Sequence, residues 1–374
     1  MNAHATHPKG PAEPKGTPRM TARRLRAGVR GWGGVGAMAA GCAVTLVFAL
    51  MLTCTGSVNR DGSNTSGPAD AAAPAQSRAS RTTQARADAE CTDPEKQTLP
   101  PSTADGPTIE EIKNREGEKR KLRVGVDQNS YRWGYRDPNS GVTGKLEGFD
   151  IDLVHRIAED ILGDPNAVQF QAIPTDQRTE AIMGGRVDMV VRTMTINCDR
   201  MQEVAFSAPY FRTGQQVLAP KPSSIKGYDK TLADQKICTA AGSTAHTQLK
   251  ADKKAGRLPE STDISTTVPN QLDCLVRLQL GEVNAVVTDG ALAASQAAQD
   301  PTVELKGEAF TTEYYGVAMK EDADDLVRRV NQILVDFRED ADGWDASYAD
   351  WLSATLGEDP TASKPPPPEY LRED

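Results

Sequence analysis

The sequence contains few of the residues and motifs on which enzymes and metalloproteins depend. It has four histidines in 374 residues, and only His155 and His246 fall in the part whose patterning indicates a fold. There is no C-x-x-C pair, H-E-x-x-H motif, G-x-S-x-G elbow or phosphate-binding loop. We therefore expect no metal, no cofactor and no catalytic activity.

A uniformly basic surface is also missing. The formal net charge is −9, and because the N-terminal region is rich in lysine and arginine, the rest of the chain is clearly acidic. An acidic body argues against binding to nucleic acid or to an anionic membrane surface. A small anion can still bind, because it responds to local charge.

One stretch has no charged residue at all: "VGAMAAGCAVTLVFALML" at positions 35–52. A basic region, residues 1–34, precedes it and is expected to stay in the cytoplasm, so that the chain after residue 53 faces outward. We interpret residues 35–53 as a signal sequence or transmembrane anchor. Cys54 follows at the place of a lipid-modified cysteine, although the residues before it depart from the usual lipobox. A lipid anchor and an uncleaved helix both stay open.

Two segments have compositions that are typical of disordered chain. Residues 54–118 are mostly Ala, Ser, Thr, Gly, Pro and scattered charges, with almost no large apolar residue before Leu99. Such a composition buries too little surface to offset the entropy of ordering. We predict a disordered tether there, and a second disordered segment in the proline-rich tail, residues 357–374.

The chain between these segments alternates strand and helix patterns. Apolar residues alternate in "KLRVGVD" (121–127), and they recur at helical spacing in "FDIDLVHRIAEDIL" (149–162). Strand, helix, strand without hairpin signals predicts an α/β fold with mainly parallel sheets. The pattern G-x-V-[DN]-x-V-V occurs in "GGRVDMVVRT" (184–193) and again in "LGEVNAVVTD" (280–289), each time after an amphipathic helix. The repeat favours two similar lobes that face one cleft, with a single doubly wound domain as the alternative.

Five stretches, in this order, give the chain a family resemblance. It resembles the bacterial extracellular solute-binding proteins for polar amino acids, which are substrate receptors of ABC transporters, and most of all their actinobacterial glutamate-binding branch. The stretches are "GFDIDLVHRIAEDI", "TMTINCDRMQEVAFSAPYF", "ICTAAGSTAHTQL", "VVTDGALA" and "YYGVAMK". The resemblance covers roughly residues 88–356.

The resemblance implies a two-lobed periplasmic-binding-protein fold of class II. Lobe 1 would combine residues 119–214 and 316–356, and lobe 2 would be residues 215–315. Two crossovers, near 213–217 and 314–317, would act as hinges for lobe closure. The expected partners are an amino-acid ligand, an ABC transporter permease and the membrane through the N-terminal anchor, and we expect a monomer.

Candidate ligand residues follow the strand ends. The resemblance assigns Arg200 to the ligand α-carboxylate, which a guanidinium can bind bidentately. Thr193 and Thr195 are two apart on an extended stretch, so both hydroxyls point the same way. The turn Gly242, Ser243, Thr244 opens a helix, where backbone N–H groups can bind an anion. Asp289 ends an apolar strand and is the expected partner of the ligand ammonium.

Two more arginines exceed what a generic amino-acid clamp needs. Arg192 ends a buried strand and Arg178 opens a helix beside the cleft, so together they predict an acidic ligand side chain. We expect glutamate, with aspartate next. An internal ion pair of Arg192 with Asp127 or Asp176 is the alternative, and it would leave a neutral pocket. Tyr131, with Trp133, is expected to contact the aliphatic part of the ligand.

Four cysteines follow the anchor: Cys91, Cys198, Cys238 and Cys274. Four thiols in an exported region suggest two disulfides with three possible pairings, and free buried thiols are the alternative. Cys238 and Cys274 would share lobe 2, which leaves Cys91 to pair with Cys198 of lobe 1.

Two other functions stay open at this stage. The chain could be a tethered sensor that passes its closed state to a signalling partner. Less favoured is a small-molecule lyase or dehydratase, because some enzymes share this fold and distant residues can converge on a catalytic site.

Overall fold

The structure is a computed structural model that describes residues 91–137, 139, 141, 144–357, 359 and 362–372. The strands are β1 (Leu122–Val126), β2 (Asn129–Ser130), β3 (Gly134–Arg136), β4 (Leu146–Glu147), β5 (Val168–Ala172), β6 (Met189–Val190), β7 (Val204–Phe206), β8 (Phe211–Thr213), β9 (Gln215–Pro220), β10 (Lys236–Ala240), β11 (Asp263–Val268), β12 (Ala285–Asp289), β13 (Val303–Lys306), β14 (Glu313–Tyr315) and β15 (Ala318–Lys320). The helices are α1 (Pro107–Lys113), α2 (Phe149–Leu162), α3 (Arg178–Met183), α4 (Thr244–Lys254), α5 (Gln271–Gln279), α6 (Gly290–Gln299), α7 (Asp324–Glu339), α8 (Trp344–Ser347) and α9 (Ser353–Leu356).

The first lobe is built on a five-stranded sheet in the order β5-β1-β6-β15-β7. Strand β1 pairs in parallel with β5 and β6, whereas β15 returns antiparallel between β6 and β7. Helix α2 covers this sheet because its apolar residues, from Phe149 to Ile161, fall on one stripe and are buried. The carboxyl ends of β1 and β6 therefore reach the same edge of the sheet.

The second lobe repeats the plan. Its sheet runs β11-β10-β12-β9-β13, with β10 parallel to both β11 and β12. The two copies of the repeated pattern lead into β6 and β12, and each of these strands holds the middle place in its sheet. The repeat therefore marks equivalent strands in two similarly built lobes, as expected, rather than two places in one sheet.

Two crossovers join the lobes. Strands β8 and β14 pair antiparallel, with Phe211 opposite Tyr315 and Thr213 opposite Glu313. The paired strands begin slightly earlier than the predicted hinges near 213–217 and 314–317. All five strands of the second sheet fall within residues 215–315, while the exact lobe bounds stay a prediction.

The predicted tether is wrong from residue 91 onward. Residues 91–113, which we call the N-terminal strap, pack on lobe 1, and Leu99, Ile109 and Ile112 lie in its main hydrophobic core. Thr98 donates its hydroxyl to the backbone oxygen of Phe206 on β7, at 2.7 Å. A few well-placed apolar residues and a buried polar contact thus outweigh an unpromising composition. The predictions for residues 1–34, 35–53 and 54–90, and for Cys54, concern residues outside the described part of the chain.

The described part of the tail, residues 362–372, also departs from the disordered segment that was predicted. Its end runs beside the strap, where the N–H groups of Leu371 and Arg372 donate to the backbone oxygens of Lys96 and Thr98. Arg372 also pairs with Asp324 at the start of α7. The proline run limits the conformations of the preceding chain, which lowers the entropy that docking must overcome.

The two expected disulfides are present: Cys91–Cys198 in lobe 1 and Cys238–Cys274 in lobe 2. This outcome excludes the alternative of free thiols for these four residues. Among the described residues, no helix is both long and apolar enough to cross a membrane.

One buried side chain of α7 makes three hydrogen bonds at the strap and the chain beside it, and this gives a test. Asn331 on α7 is fully buried, accepts the N–H of Ala208 and donates to the oxygens of Leu99 and Thr98. Asn331→Leu leaves buried backbone groups without partners, so we expect the free energy of unfolding to fall by about 2–4 kcal/mol. Urea denaturation measures it.

The adjacent change Gln332→Leu is the control. Among the described residues, the Gln332 side chain bonds only to Asp336 one turn away, on the exposed side of the helix, so its loss is expected to change stability by about 0.5 kcal/mol or less. Equal effects of the two substitutions would show that the strap is not docked through Asn331.

Candidate functional site

The candidate site is a narrow cavity between the lobes, with about 10 Å³ of free space. It is lined by the ends of several strands and the starts of several helices: Arg178, Thr193, Thr195, Arg200, Ser243, Thr244, Ala245, Gln271, Thr288 and Asp289. An adjoining opening of about 230 Å³ shares Arg178 and Arg200 and reaches Gly242. Most of the predicted ligand residues are thus brought together.

Lobe 1 supplies the loop that follows β6, residues 193–203, which we call the ligand loop. Thr193 has a backbone φ of 41°, a left-handed conformation that is costly for a threonine. The buried carboxylate of Asp150 holds it there by accepting the Thr193 N–H at 3.1 Å, and it accepts the Tyr210 hydroxyl as well. Burial raises the pKa of Asp150 to about 7.

Arg200 is fixed by the same loop. Its backbone N–H donates to the Asn197 side chain, and its guanidinium donates to the Thr195 oxygen at 2.5 Å. The other guanidinium nitrogen reaches across the cleft to the backbone oxygen of Gly242, at 3.1 Å. Burial lowers the pKa of Arg200, while Glu313 and Asp289 act in the opposite direction. The side chain is therefore placed and oriented before any anion arrives.

Arg178 is the second cation of the cavity. It is 3% exposed and donates only to backbone oxygens, those of Thr175 and Arg192. Within the described part of the chain, no carboxylate lies within 4 Å of Arg178 or Arg200. Burial lowers the pKa of Arg178 well below its usual range, and the charges of Arg200 and Arg192 add to this. A bound anion would relieve that cost.

Lobe 2 supplies the turn between β10 and α4. Gly242 has a φ of 70°, and a side chain at this position would collide with Asp176 of lobe 1. Ser243 caps α4 by accepting the N–H of His246. This geometry aims the first turn of an 11-residue helix at the cavity, where its free N–H groups favour an anion.

Asp289 closes the cavity from the end of β12. It is 8% exposed and accepts the hydroxyl of Tyr315 at 2.7 Å. Burial raises the pKa of Asp289 to about 7; the nearby Glu313 raises it further, while Tyr315, Arg200 and Arg178 lower it. A ligand ammonium would stabilise the ionised form.

Two predicted ligand residues lie elsewhere. Arg192 is fully buried and pairs with Asp127 at 2.8 Å, so the internal ion pair, not the ligand, neutralises its charge. It also donates to the Asn270 side chain of lobe 2, at 3.0 Å. Tyr131 lines a separate small gap that shares Gln271 with the main cavity. Trp133 is fully buried in the core of lobe 1 and cannot contact a ligand.

Sequence reasoning missed three groups around the cavity: Gln271, Thr288 and Glu313. Glu313 is 5% exposed on β14 and accepts from Gln215, Thr244 and Thr311. A glutamate as the first residue of a crossover strand was the available signal. Gln271 starts α5, the helix before β12, as Arg178 starts α3, the helix before β6, so the repeat of the lobes could have indicated it.

The lobes are in direct contact around the cavity. The N–H of Thr175 in lobe 1 donates to the backbone oxygen of Pro269 in lobe 2. Together with the bonds from Arg192 to Asn270 and from Arg200 to Gly242, this contact defines a closed cleft.

Known proteins share this architecture. The family model described as "Bacterial extracellular solute-binding proteins, family 3" matches residues 122–354. The chain belongs to this family.

Individual relatives agree with that membership. The chain is 32% identical over 232 residues to the ABC transporter glutamine-binding protein GlnH of Bacillus subtilis, covering 62% of this chain and 81% of that protein. It is 30% identical over 253 residues to the glutamate-binding protein GluB of Corynebacterium efficiens, covering 65% and 81%. The solved L-cysteine solute receptor of Neisseria gonorrhoeae matches with a TM-score of 0.59 and 26% identity, over 67% of this chain and 96% of that one.

Membership confirms the predicted family and two-lobed fold. It also establishes an extracytoplasmic amino-acid-binding protein of the ABC-transporter type as the general class.

The raised pKa of Asp289 predicts a pH dependence of binding. Only the carboxylate form attracts a ligand ammonium, so affinity is expected to fall as pH drops from about 8 to about 6, approaching tenfold per unit below the pKa. Glutamine is a suitable probe, because its own groups do not titrate in this range. Calorimetric titration at several pH values measures the slope.

Two variants identify the carboxylate that causes this pH dependence. Asp289→Asn is expected to bind weakly and without this slope. Asp150→Asn removes the other buried carboxylate of raised pKa and is expected to keep the slope. A flat profile in the unmodified protein would contradict the role given to Asp289.

Proposed function

We propose that this protein is an extracytoplasmic receptor that captures an amino acid with an acidic side chain, glutamate first and aspartate next, for an ABC importer. The observation that carries the proposal is Arg178, a buried cation that has only backbone partners. A clamp for the α-carboxylate is already complete without it.

The zwitterionic part of the ligand accounts for three elements. Arg200 and the N–H groups at the start of α4 offer donors to one carboxylate, and Asp289 offers an acceptor to the ammonium. Thr193 and Thr195 border the same space. Arg178 then remains for a second carboxylate, which a γ- or β-carboxyl group supplies.

Glutamine is the second candidate, and specific observations favour it. Arg192 is neutralised by Asp127, so one extra cation, not two, is left for the ligand side chain. The remaining charges, Arg178 and Arg200 against Asp289 and Glu313, already balance for a neutral ligand. The glutamine-binding protein of Geobacillus stearothermophilus is 35% identical over 210 residues. A side-chain amide oxygen could accept from Arg178 as well.

Lobe closure is the proposed means of capture. The paired crossovers β8 and β14 allow the lobes to rotate, and the cleft closes over the ligand. The permease would then recognise the closed form at the membrane, where an N-terminal lipid or helix holds this protein, acting as a monomer. The names of the relatives describe binding proteins, which supports capture rather than catalysis.

Removing the Arg178 charge tests the ligand. We expect the full chain to bind glutamate best in calorimetric titrations of the twenty amino acids. Arg178→Met keeps much of the side-chain volume but leaves a ligand carboxylate unpaired in a closed cleft, which costs about 2–5 kcal/mol, or about 30-fold or more in affinity. Glutamine, which carries no charge there, is expected to lose little or to gain.

Arg186→Met is the matched control, because Arg186 is exposed in the turn that follows the same helix and its loss is expected to leave both affinities unchanged. The proposal fails if glutamate and glutamine lose affinity together. It also fails if the unmodified protein prefers glutamine or a basic amino acid.

A further inference from the structure

The turn that carries Arg200 has few attachments to lobe 1. In the described structure, the hydrogen bonds of residues 197–200 stay inside the ligand loop, apart from the Cys91 contact and the bond from Arg200 to Gly242 of lobe 2. On either side of the turn, Ile196 and Met201 pack against a core cluster. The covalent attachment of the turn is the Cys91–Cys198 disulfide.

The chain that follows the other end of that disulfide is held on lobe 1. Seven positions after Cys91, Thr98 binds the backbone oxygen of Phe206 on β7 and receives a bond from Asn331. Leu99 is 1% exposed and packs into the main core of lobe 1. The strap is thus joined to both ends of the stretch 198–206. The disulfide joins it to Cys198, and the Thr98 hydroxyl joins it to Phe206.

The position of Arg200 depends on these two links between the strap and residues 198–206. Its backbone N–H is held by Asn197 and its guanidinium by the Thr195 oxygen, at 2.9 and 2.5 Å. Thr195 is joined to the crossover strand β14 by its bridge to Tyr315, so it anchors the guanidinium. Asn197 lies in the turn itself, so it fixes the Arg200 backbone relative to the turn and not relative to the lobe. Arg200 lies two positions after the cysteine that ties the loop to the strap.

We propose that the Cys91–Cys198 disulfide is a positioning element for the ligand: by tying the ligand loop to the strap, it holds Arg200 in the arrangement that binds the ligand carboxylate. The inference rests on the proposed amino-acid receptor. Without the bond, the loop spends part of its time in arrangements that cannot bind. Apparent affinity then falls in proportion to the competent fraction, about tenfold if that fraction drops to a tenth.

The lobe 2 disulfide provides the contrast. Cys238 and Cys274 are both fully buried in the core of lobe 2, whereas Cys91 is exposed at the end of the described chain. A reductant under native conditions is therefore expected to open Cys91–Cys198 first. Capture of the amino acid would be sensitive to reduction at this one bond.

The test is a double-mutant cycle in the full chain, purified with detergent present. Cys91→Ala/Cys198→Ala is combined with Arg200→Lys, and glutamate affinity is measured by calorimetry. We expect the cysteine pair to cost about tenfold in the parent protein but little when Arg200 is already replaced. Cys238→Ala/Cys274→Ala is the control; its effect is expected to be independent of Arg200.

A second measurement needs no ligand and no cysteine variant. Mild reduction of the folded protein, followed by alkylation to confirm which thiols are free, is expected to speed amide hydrogen exchange at residues 197–201 while the core strands of lobe 1 stay protected. Unchanged exchange in the loop would overturn the proposal even if the cysteine variants fail to fold.

The outcomes separate the two proposals. If the parent protein binds no amino acid, the proposed function fails and this inference fails with it. If the parent binds and the cysteine pair changes nothing, or changes affinity equally with Arg200 and with Lys at this position, the disulfide is only structural and the positioning role is wrong.

Discussion

Charge inside a closed cleft is the constraint on which the rest of this molecule depends. Arg178 is buried and Arg200 half-buried in the cleft between the lobes, and both make their contacts with backbone oxygens. Backbone oxygens orient a guanidinium without neutralising it, and in the described structure Asp289 and Glu313 act on these charges only from more than 4 Å away. A ligand carboxylate that pairs directly with a guanidinium is therefore expected to favour the closed form, which is the behaviour a receptor needs if its closure is to report the ligand.

The same constraint explains why Arg192 differs from its neighbours. It lies at the end of β6, as fully buried as any residue in lobe 1, but its charge is matched within the lobe by Asp127. Its remaining contact, with Asn270 at the N-terminus of α5, crosses to lobe 2. The Arg192–Asp127 ion pair lies within lobe 1, so it does not require a ligand and adds little to ligand choice. Arg192 contributes instead to the contact between the lobes, through Asn270.

Sequence patterning predicted the fold and most of the cavity for definable reasons. The repeated G-x-V-[DN]-x-V-V pattern reports a buried middle strand, and the polar residues after β6 and β12 must then face one edge. The pattern could not show which side chains contact each other. Whether Arg192 meets Asp127 or a ligand is decided by side chains far apart in sequence, and the composition of residues 91–113 conceals the three apolar residues that dock the strap.

The hinge takes part in the site through β14. Tyr315 donates its hydroxyl to Asp289, and Glu313, two residues earlier on the same strand, accepts the hydroxyl of Thr244. Both lobe 2 elements that face the ligand, the end of β12 and the start of α4, are thus hydrogen-bonded to a crossover strand. Strand β14 in turn pairs with β8 and bridges to Thr195 of the ligand loop. A change in charge at Asp289 therefore acts directly on the crossover strand β14, because Tyr315 of that strand donates a hydrogen bond to the Asp289 carboxylate.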